Sequence, residues 1–384
     1  MLREMEKMSE TIGKNAVNFT RELIRFNTIN PPGNEDACAR WLGGILEAAG
    51  YRIDWNEFAP GRTNLIATLP GNGDKLPLAL SGHIDVVPLG AAPWSVDPFA
   101  AEVKDGRIYG RGSTDMKSGV AVCVAAAVEL AKLKNRASDV VVVISAGEEI
   151  GCAGAYYMAE QKLLPQAGAL LVAEPTSNYP LLGHKGIMWL EAITSGVTAH
   201  GAMPELGDNA VYKAARAVGK LENFDFGATH PAMGAPSLNV GTLHGGMNCN
   251  SVPDKAVIGI DIRTIPNQPN ADALARVKEV LGPEVEIKVK DDKTSVYTSP
   301  EVPWVQQVFD VVEETLGERP EPETVNYFTD AGALTSAMGD VPTIIFGPGE
   351  VDMLHKTDEF CLVHRVEEGA AMYLEIGRRW LTEA

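Results

Sequence analysis

Two adjacent glutamates, Glu148 and Glu149, follow a run of valines in the stretch DVVVVISAGEEIG. A buried, unpaired carboxylate costs roughly several kcal/mol even after relaxation. Such a pair is therefore either a solvated turn or a working group. Four other stretches place an imidazole or carboxylate in a comparable position. SGHIDVVP carries His83 and Asp85 at i and i+2, which share one face of a strand. YGRGSTDMKSG puts Asp115 where a glycine-rich loop enters a helix. LLVAEPT places Glu174 directly after an apolar run, and GPGEVDMLHKTDE holds His355 on a glycine-rich loop. Each has an ordinary reading alone: a carboxylate in solvent, a helix N-cap aspartate, a structural His–Asp hydrogen bond, an incidental histidine. The glycines near Asp115 do not make a phosphate loop, because neither GxGxxG nor GxxxxGK[ST] is present.

Taken as a set, two imidazoles and three carboxylates (His83, Asp115, Glu149, Glu174 and His355) match a borderline divalent cation such as Zn²⁺, with Co²⁺ or Mn²⁺ as substitutes. One bridging carboxylate would let these five side chains hold two ions ~3.5–4 Å apart, with a place left for water. Asp85 can accept the second N–H of the His83 ring and fix its tautomer. Glu148, beside Glu149 but not needed as a ligand, can take the water's proton and later deliver it to a leaving amine. Neighbours on an extended strand point to opposite faces, so the chain must turn here, and Gly147 and Gly151 allow that.

The elements that would position these residues are legible in the apolar pattern. Continuous apolar runs predict strands at 64–69, 76–81, 140–145 and 170–173, with a helix at 118–133. Strands of that kind, separated by helices, imply a mostly parallel sheet covered on both faces. All five candidate ligands fall at or just past the C-terminal ends of predicted strands, where an open α/β sheet has its ligand crevice. Further helices are expected at 15–26, 36–49, 303–316 and 366–381, with a strand ending in TIIFGPG. Between them the texture changes. Strands at 187–194, 237–243, 254–264 and 285–289 and helices at 208–221 and 271–281 follow in the order βαββαβ, a split-βαβ unit. The expected organisation is one discontinuous α/β domain, 1–183 and 295–384, interrupted by an inserted α+β domain, 184–294.

Composition excludes some classes. The net charge of -18 argues against a nucleic-acid partner, which needs clustered Lys and Arg. No stretch reaches the ~18 apolar residues of a membrane-spanning helix, and MLREMEKMSETIGKN lacks the apolar core of a signal peptide. The five cysteines, Cys38, Cys123, Cys152, Cys249 and Cys361, are scattered and contain no CxxC, so reduced thiols in a cytoplasmic protein are expected.

From about residue 20 onward, the ordered set SGHIDVVP, W-x-x-DPF, DGRIYGRGSTDMKSG, SAGEEIG and AEPTS resembles the zinc-dependent aminoacylase/carboxypeptidase family, in particular the acetylornithine deacetylase and succinyl-diaminopimelate desuccinylase group. That resemblance implies a zinc-peptidase-like mixed, mostly parallel sheet sandwiched by helices, with an inserted ferredoxin-like lid and dimerisation domain. It implies two Zn²⁺ per subunit. Asp115 would bridge, with His83 and Glu174 completing one site and Glu149 and His355 the other. Glu148 would be the general base, and Asp85 would orient His83. His200, in SGVTAHGAMPELGDNAV, would reach the partner subunit's active site and help hold the oxyanion. Asn250 and Arg263, in GGMNCNSVPDKAVIGIDIRTIP, would contact the substrate's carboxylate and acyl end. Thr329 and Gly332 in YFTDAGAL, and Lys185 in GHKGI, would help read the substrate. Without the resemblance His200 reads as a surface-loop histidine and Arg263 as an exposed strand cation.

The expected function is a cytoplasmic, homodimeric dizinc amidohydrolase that removes the acyl group from an N-acyl amino acid. N-Acetylornithine is the favoured substrate, which would place the chain in arginine biosynthesis. GHKG and GPGEVDMLHKTDE favour acetylornithine deacetylase, whereas FTDAGAL leans towards the aminoacylase-like branch. The alternatives are a succinyl-diaminopimelate desuccinylase, a di- or tripeptidase of the same family, and a non-catalytic ligand-binding homologue.

Overall fold

The valine run before the paired glutamates forms a strand whose residues Val140 to Ile144 are fully buried. A strand covered on both faces needs no polar alternation, and this one shows none. The computed structural model describes residues 2–382, with side chains from Glu10 onward. It divides into two units. The larger comprises Met1–Gly183, Thr298–Glu323 and Thr329–Ala384; the smaller comprises His184–Tyr297 and Thr324–Phe328. The short 324–328 segment was expected with the larger domain.

In the larger unit the principal sheet uses β1 (Arg52–Ala59), β2 (Arg62–Leu69), β3 (Lys75–His83), β4 (Ser138–Ser145), β5 (Ala169–Val172), β6 (Leu181–His184) and β7 (Thr343–Ile345). Their spatial order is β1-β2-β4-β3-β5-β7-β6. The four central strands β4, β3, β5 and β7 run parallel. The ladders β1/β2, β2/β4 and β7/β6 are antiparallel. Register levels the parallel strands: His83 pairs with Ser145, Ser81 with Val172, and Val172 with Ile345. Their C-terminal ends therefore finish close together at one edge of the sheet.

Helix Ser118–Leu130 is nearly all small and apolar, and all but its Val128 and Glu129 are buried. Its close approach has a local cause. A Cβ on Gly119 would lie 2.0 Å from the Ala173 carbonyl oxygen, so only glycine lets this helix seat against the chain just before Glu174. The helix stops three residues short of the expected 133. A second, three-stranded sheet, which the sequence pattern did not reveal, pairs Phe360–Leu362 with Arg107–Tyr109 and that with Val103–Lys104. No helix among the described residues is long and apolar enough to cross a membrane. All five cysteines are free, and only Cys249 is exposed.

The smaller unit has strands Gly186–Ser195, Ser237–Gly245, Lys255–Thr264 and Val285–Lys293, with helices Ala210–Leu221 and Asn270–Leu281. The sheet order is second, third, first, fourth, all antiparallel, the split-βαβ arrangement. Lys255–Thr264 alternates in burial along its length, and its inward residues Ile258, Ile260 and Ile262 join the core under both helices. The first helix starts at Ala210 rather than 208, because the Asn209 side chain caps it by accepting from the Val211 and Tyr212 N–H groups.

His184, at the end of β6, is fully buried. Its Nδ1–H donates to the Lys185 carbonyl oxygen at 2.9 Å, Nε2 has no hydrogen-bond partner among the described residues, and Phe328 stands edge-on at 6.2 Å. Burial pushes this imidazole down to about 4. Between about pH 4 and the ordinary value of about 6.5, the unfolded chain then binds more protons than the folded one. Stability therefore falls as the pH drops through that window, by at most about 3 kcal/mol from this group. Urea midpoints measured at pH 7 and pH 4.5 are expected to differ less for His184→Asn than for the natural chain. An unchanged difference would remove His184 from the acid response.

Candidate active site and metal centre

The level ends of the parallel strands deliver the candidate residues in sequence. His83 is the last residue of β3, and its ring is 1% exposed. β4 ends at Ser145 and leads through Gly147, at φ 80°, into a single turn, Glu148–Ile150, that Gly151 closes at φ 94°. These two left-handed glycines make the bend that the adjacent glutamates require. Glu174 follows β5 by two residues and is buried. His355 follows β7 on a long loop, is exposed, and has a left-handed backbone at φ 59°. Asp115 departs from the expectation. It follows Arg107–Tyr109 of the small second sheet rather than a strand of the principal one. Its backbone leaves the helical region inside the turn Ser113–Lys117.

These residues converge. His83 Nε2 lies 3.2 Å from Asp115 Oδ1, and His355 Nε2 lies 3.3 Å from Asp115 Oδ2. His355 Nε2 is also 3.3 Å from Glu149 Oε2. His83, Asp115 and Glu149 each offer a ligand atom within 4.8 Å of the other two. One aspartate thus faces both imidazoles, one on each oxygen.

Asp85 does more than the sequence indicated. The oxygen nearest His83 Nδ1 is the Asp85 backbone carbonyl at 3.1 Å, with the carboxylate at 3.5 Å. The carboxylate accepts from the Glu148 N–H at 3.0 Å, the Glu149 N–H at 3.2 Å and Asn30 Nδ2 at 2.8 Å. It therefore pins the glutamate turn as well as facing the histidine. Although burial favours its neutral form, His83 and Asn30 hold its carboxyl below the usual carboxylate range.

The electrostatics show a surplus of negative charge. Burial, and the neighbouring charges of Glu174, Asp330 and Glu149, drive the Glu148 carboxyl well above its ordinary value against the pull of His83. Burial likewise pushes Glu174 well up, with Asp115 and Asp330 adding to it. Burial and Asp115 bring Glu149 up to about 7. Asp115 goes the other way: burial opposes ionisation, but the two imidazoles hold it far down. Hydrogen bonds to Asp115 and Glu149 raise His355 to about 10. Divalent cations are often the largest local charges in such a site and invert this balance. The donor set fits them on a second ground, since Glu149 Oε1 is buried with no partner among the described residues. Two imidazoles with carboxylates suit zinc and its neighbours.

Sequence reasoning missed several members. Cys152 Sγ donates to Glu148 Oε1 at 3.3 Å, Ser145 Oγ donates to Asp330 Oδ2, and Glu148, Cys152 and Asp330 form a second close group. Asp330 sits beside Thr329, inside a stretch already singled out. Thr329 itself is buried, and its hydroxyl accepts from the Ala331 N–H at 3.1 Å, starting the helix Ala331–Ala337 that contains Gly332.

In the smaller unit, His200 is exposed, and its Nδ1 accepts from the Ala202 N–H at 3.1 Å. Asn250 is exposed too, and its carbonyl accepts from the Gly201 N–H at 2.7 Å, so two candidates far apart in sequence become neighbours. Arg263 is half-buried and ion-paired with Asp261 at 3.2 Å on its own strand. Lys185 Nζ donates to the Ala235 carbonyl at 2.6 Å.

Residues 79–379 match the model of peptidase family M20/M25/M40. The chain is 30% identical over 380 residues to an acetylornithine deacetylase of Myxococcus xanthus, covering 92% of this chain and 94% of that protein. It is also 30% identical over 381 residues to a probable succinyl-diaminopimelate desuccinylase of Staphylococcus epidermidis, covering 90% and 92%. Its fold resembles that of the aminopeptidase PepT from Bacillus cereus, with a TM-score of 0.78 at 22% identity over 95% of this chain and 97% of that one. By this match and these relatives, the chain belongs to peptidase family M20/M25/M40 and is a metal-dependent hydrolase acting on amide bonds.

Proposed function

We propose that this protein removes the acyl group from an N-acyl amino acid, with N-acetylornithine the first substrate to test. The observation that carries the reading is the Asp115 carboxylate, which faces His83 on one oxygen and His355 on the other, with Glu148 held one residue from Glu149. His83, Asp115 and Glu174 would hold one ion, and Asp115, Glu149 and His355 the other. Zinc suits the set best, with cobalt or manganese as substitutes. When bound, the ions would supply Lewis acidity to the amide carbonyl and to the attacking water.

The chain's own residues do the rest. Asp85 fixes the His83 ring and the glutamate turn. Glu148 takes the proton of the attacking water at its carboxylate and returns it to the departing amine nitrogen. His200 of the partner subunit donates to the developing oxyanion, an electrostatic contribution realised in the transition state. Arg263 and Asn250 bind the substrate's carboxylate and acyl end, the planar guanidinium fork matching a carboxylate. Thr329, Gly332 and Lys185 border the same substrate. A homodimer through the smaller unit follows from this use of His200. In support, Ser237–Gly245 is an edge strand, largely exposed, with Leu243 43% exposed on it and Tyr212 66% exposed on the neighbouring helix. The free cysteines fit a cytoplasmic enzyme, and the acetylornithine reading would place it in arginine biosynthesis.

The relatives at 30% identity divide between two acyl groups, so the acyl group is what the experiment must read. The zinc-loaded protein would be assayed for free-amine release on one panel: N-acetylornithine, N-succinyl-diaminopimelate, several N-acetyl and N-formyl amino acids, and free dipeptides. Preference for one acylated amino acid is expected. Turnover of dipeptides alone would replace the deacylase with a peptidase, and no turnover across the panel would overturn the reading.

A further inference from the structure

The loop that carries Asp115 is gripped by a carboxylate from near the other end of the chain. Phe360 pairs with Tyr109 in the small sheet, and the Gly110 N–H donates to the Glu359 carbonyl at 2.9 Å. That ladder lays the Glu359 side chain, 0% exposed, against residues 111–115. Four donors meet its two oxygens. Oε1 accepts from the Thr114 N–H at 2.8 Å and the Asp115 N–H at 3.0 Å. Oε2 accepts from the Gly112 N–H at 2.9 Å and the Arg111 guanidinium at 2.5 Å. The Thr114 hydroxyl adds a bond to the Phe360 carbonyl at 2.7 Å. Arg111, 1% exposed, also donates to the carbonyls of Lys356 and Pro88.

A carboxylate this deep is costly unless it is paired and fully hydrogen-bonded, and this one is both. Its partners are backbone amides of a turn that departs from helical geometry at Asp115, with φ -115° and ψ 98°. Amides in such a turn need an acceptor from elsewhere, and Glu359 provides it. The same loop carries His355, so one segment between β7 and Phe360–Leu362 brings an imidazole to Asp115 and also holds the Asp115 backbone.

We propose that Glu359 is a positioning residue for the metal centre, fixing the direction from which the Asp115 carboxylate faces His83 and His355. The inference rests on Asp115 being the ligand shared by two ions. Because that ligand is shared, a loosened Asp115 should weaken both ions together. Partners of this kind are typically worth about 10–100-fold in metal affinity.

The test compares the natural chain with Glu359→Gln, both stripped of metal and titrated with zinc against a chromophoric chelator. Gln keeps the size but loses the charge and one acceptor. The natural chain is expected to take two ions, and the variant to hold both about 10–100-fold more weakly. Equal affinities, with or without a lower Tm, would make Glu359 merely structural and overturn the proposal. So would a loss confined to one ion. A natural chain that takes fewer than two ions would instead overturn the shared-ligand reading. Should the variant fail to fold, hydrogen exchange on the natural, metal-free protein decides. The Thr114 and Asp115 amides are expected to be protected before any zinc is added. Protection that appears only on zinc loading would show that the ions, and not Glu359, set the turn.

Discussion

Glu148→Ala is expected to bind two zinc ions as tightly as the natural chain and to lose about 10²–10⁴ in kcat on the best substrate of the panel. The separation of binding from turnover follows from position. Glu149 faces His355 and Asp115, whereas the Glu148 carboxylate meets the Cys152 thiol, next to Asp330. Burial and three neighbouring acids raise its proton affinity, which suits a group that must first accept a proton and then release it. Removing the carboxylate leaves the Asp85 bonds to the turn intact, because they use backbone N–H groups. Isothermal titration with zinc and initial rates on the same preparation check both halves. A variant that turns over normally, or that loses an ion, would remove Glu148 from the role of base.

Asp115→Ala is expected to lose high-affinity binding of both ions and, with them, all measurable hydrolysis. Its two oxygens face different imidazoles, so its loss would strip a carboxylate from both halves of the proposed centre. His83→Ala and His355→Ala each remove a donor from one half only, and each is expected to retain one ion. Metal content by mass spectrometry after gel filtration distinguishes the three variants. Retention of a full complement by Asp115→Ala would show that the two halves are independent sites.

Much of this was legible in the sequence because apolar continuity and chemistry coincide. The buried run Val140 to Ile144 reads as a doubly covered strand, and the two glutamates after it point to a site once the other four ligand candidates are set beside them. The βαββαβ block was visible because Lys255–Thr264 alternates faithfully in burial. Other parts were hidden for physical reasons. β1 alternates Arg52, Asp54 and Asn56 with Ile53 and Trp55 on a largely exposed edge, so it holds no continuous apolar run of the kind that marks the buried strands. Asp330 and Glu359 are acids in loops, and what makes them matter is contact across the fold, between Glu359 and Asp115 for instance. The second use of Asp85, as an acceptor for the glutamate turn, depends on the register that sets His83 opposite Ser145.

β7 inserts between β5 and β6, although it follows both in the chain by more than the whole smaller unit. A ribosome that has reached residue 342 has already made His83, Asp115, Glu149 and Glu174. It has made neither His355 nor Glu359, and β5 and β6 still lack the strand that joins them. Assembly of the candidate site therefore waits until the chain has been made past Glu359, and a product stopped before β7 would leave β5 and β6 unjoined and the site without His355.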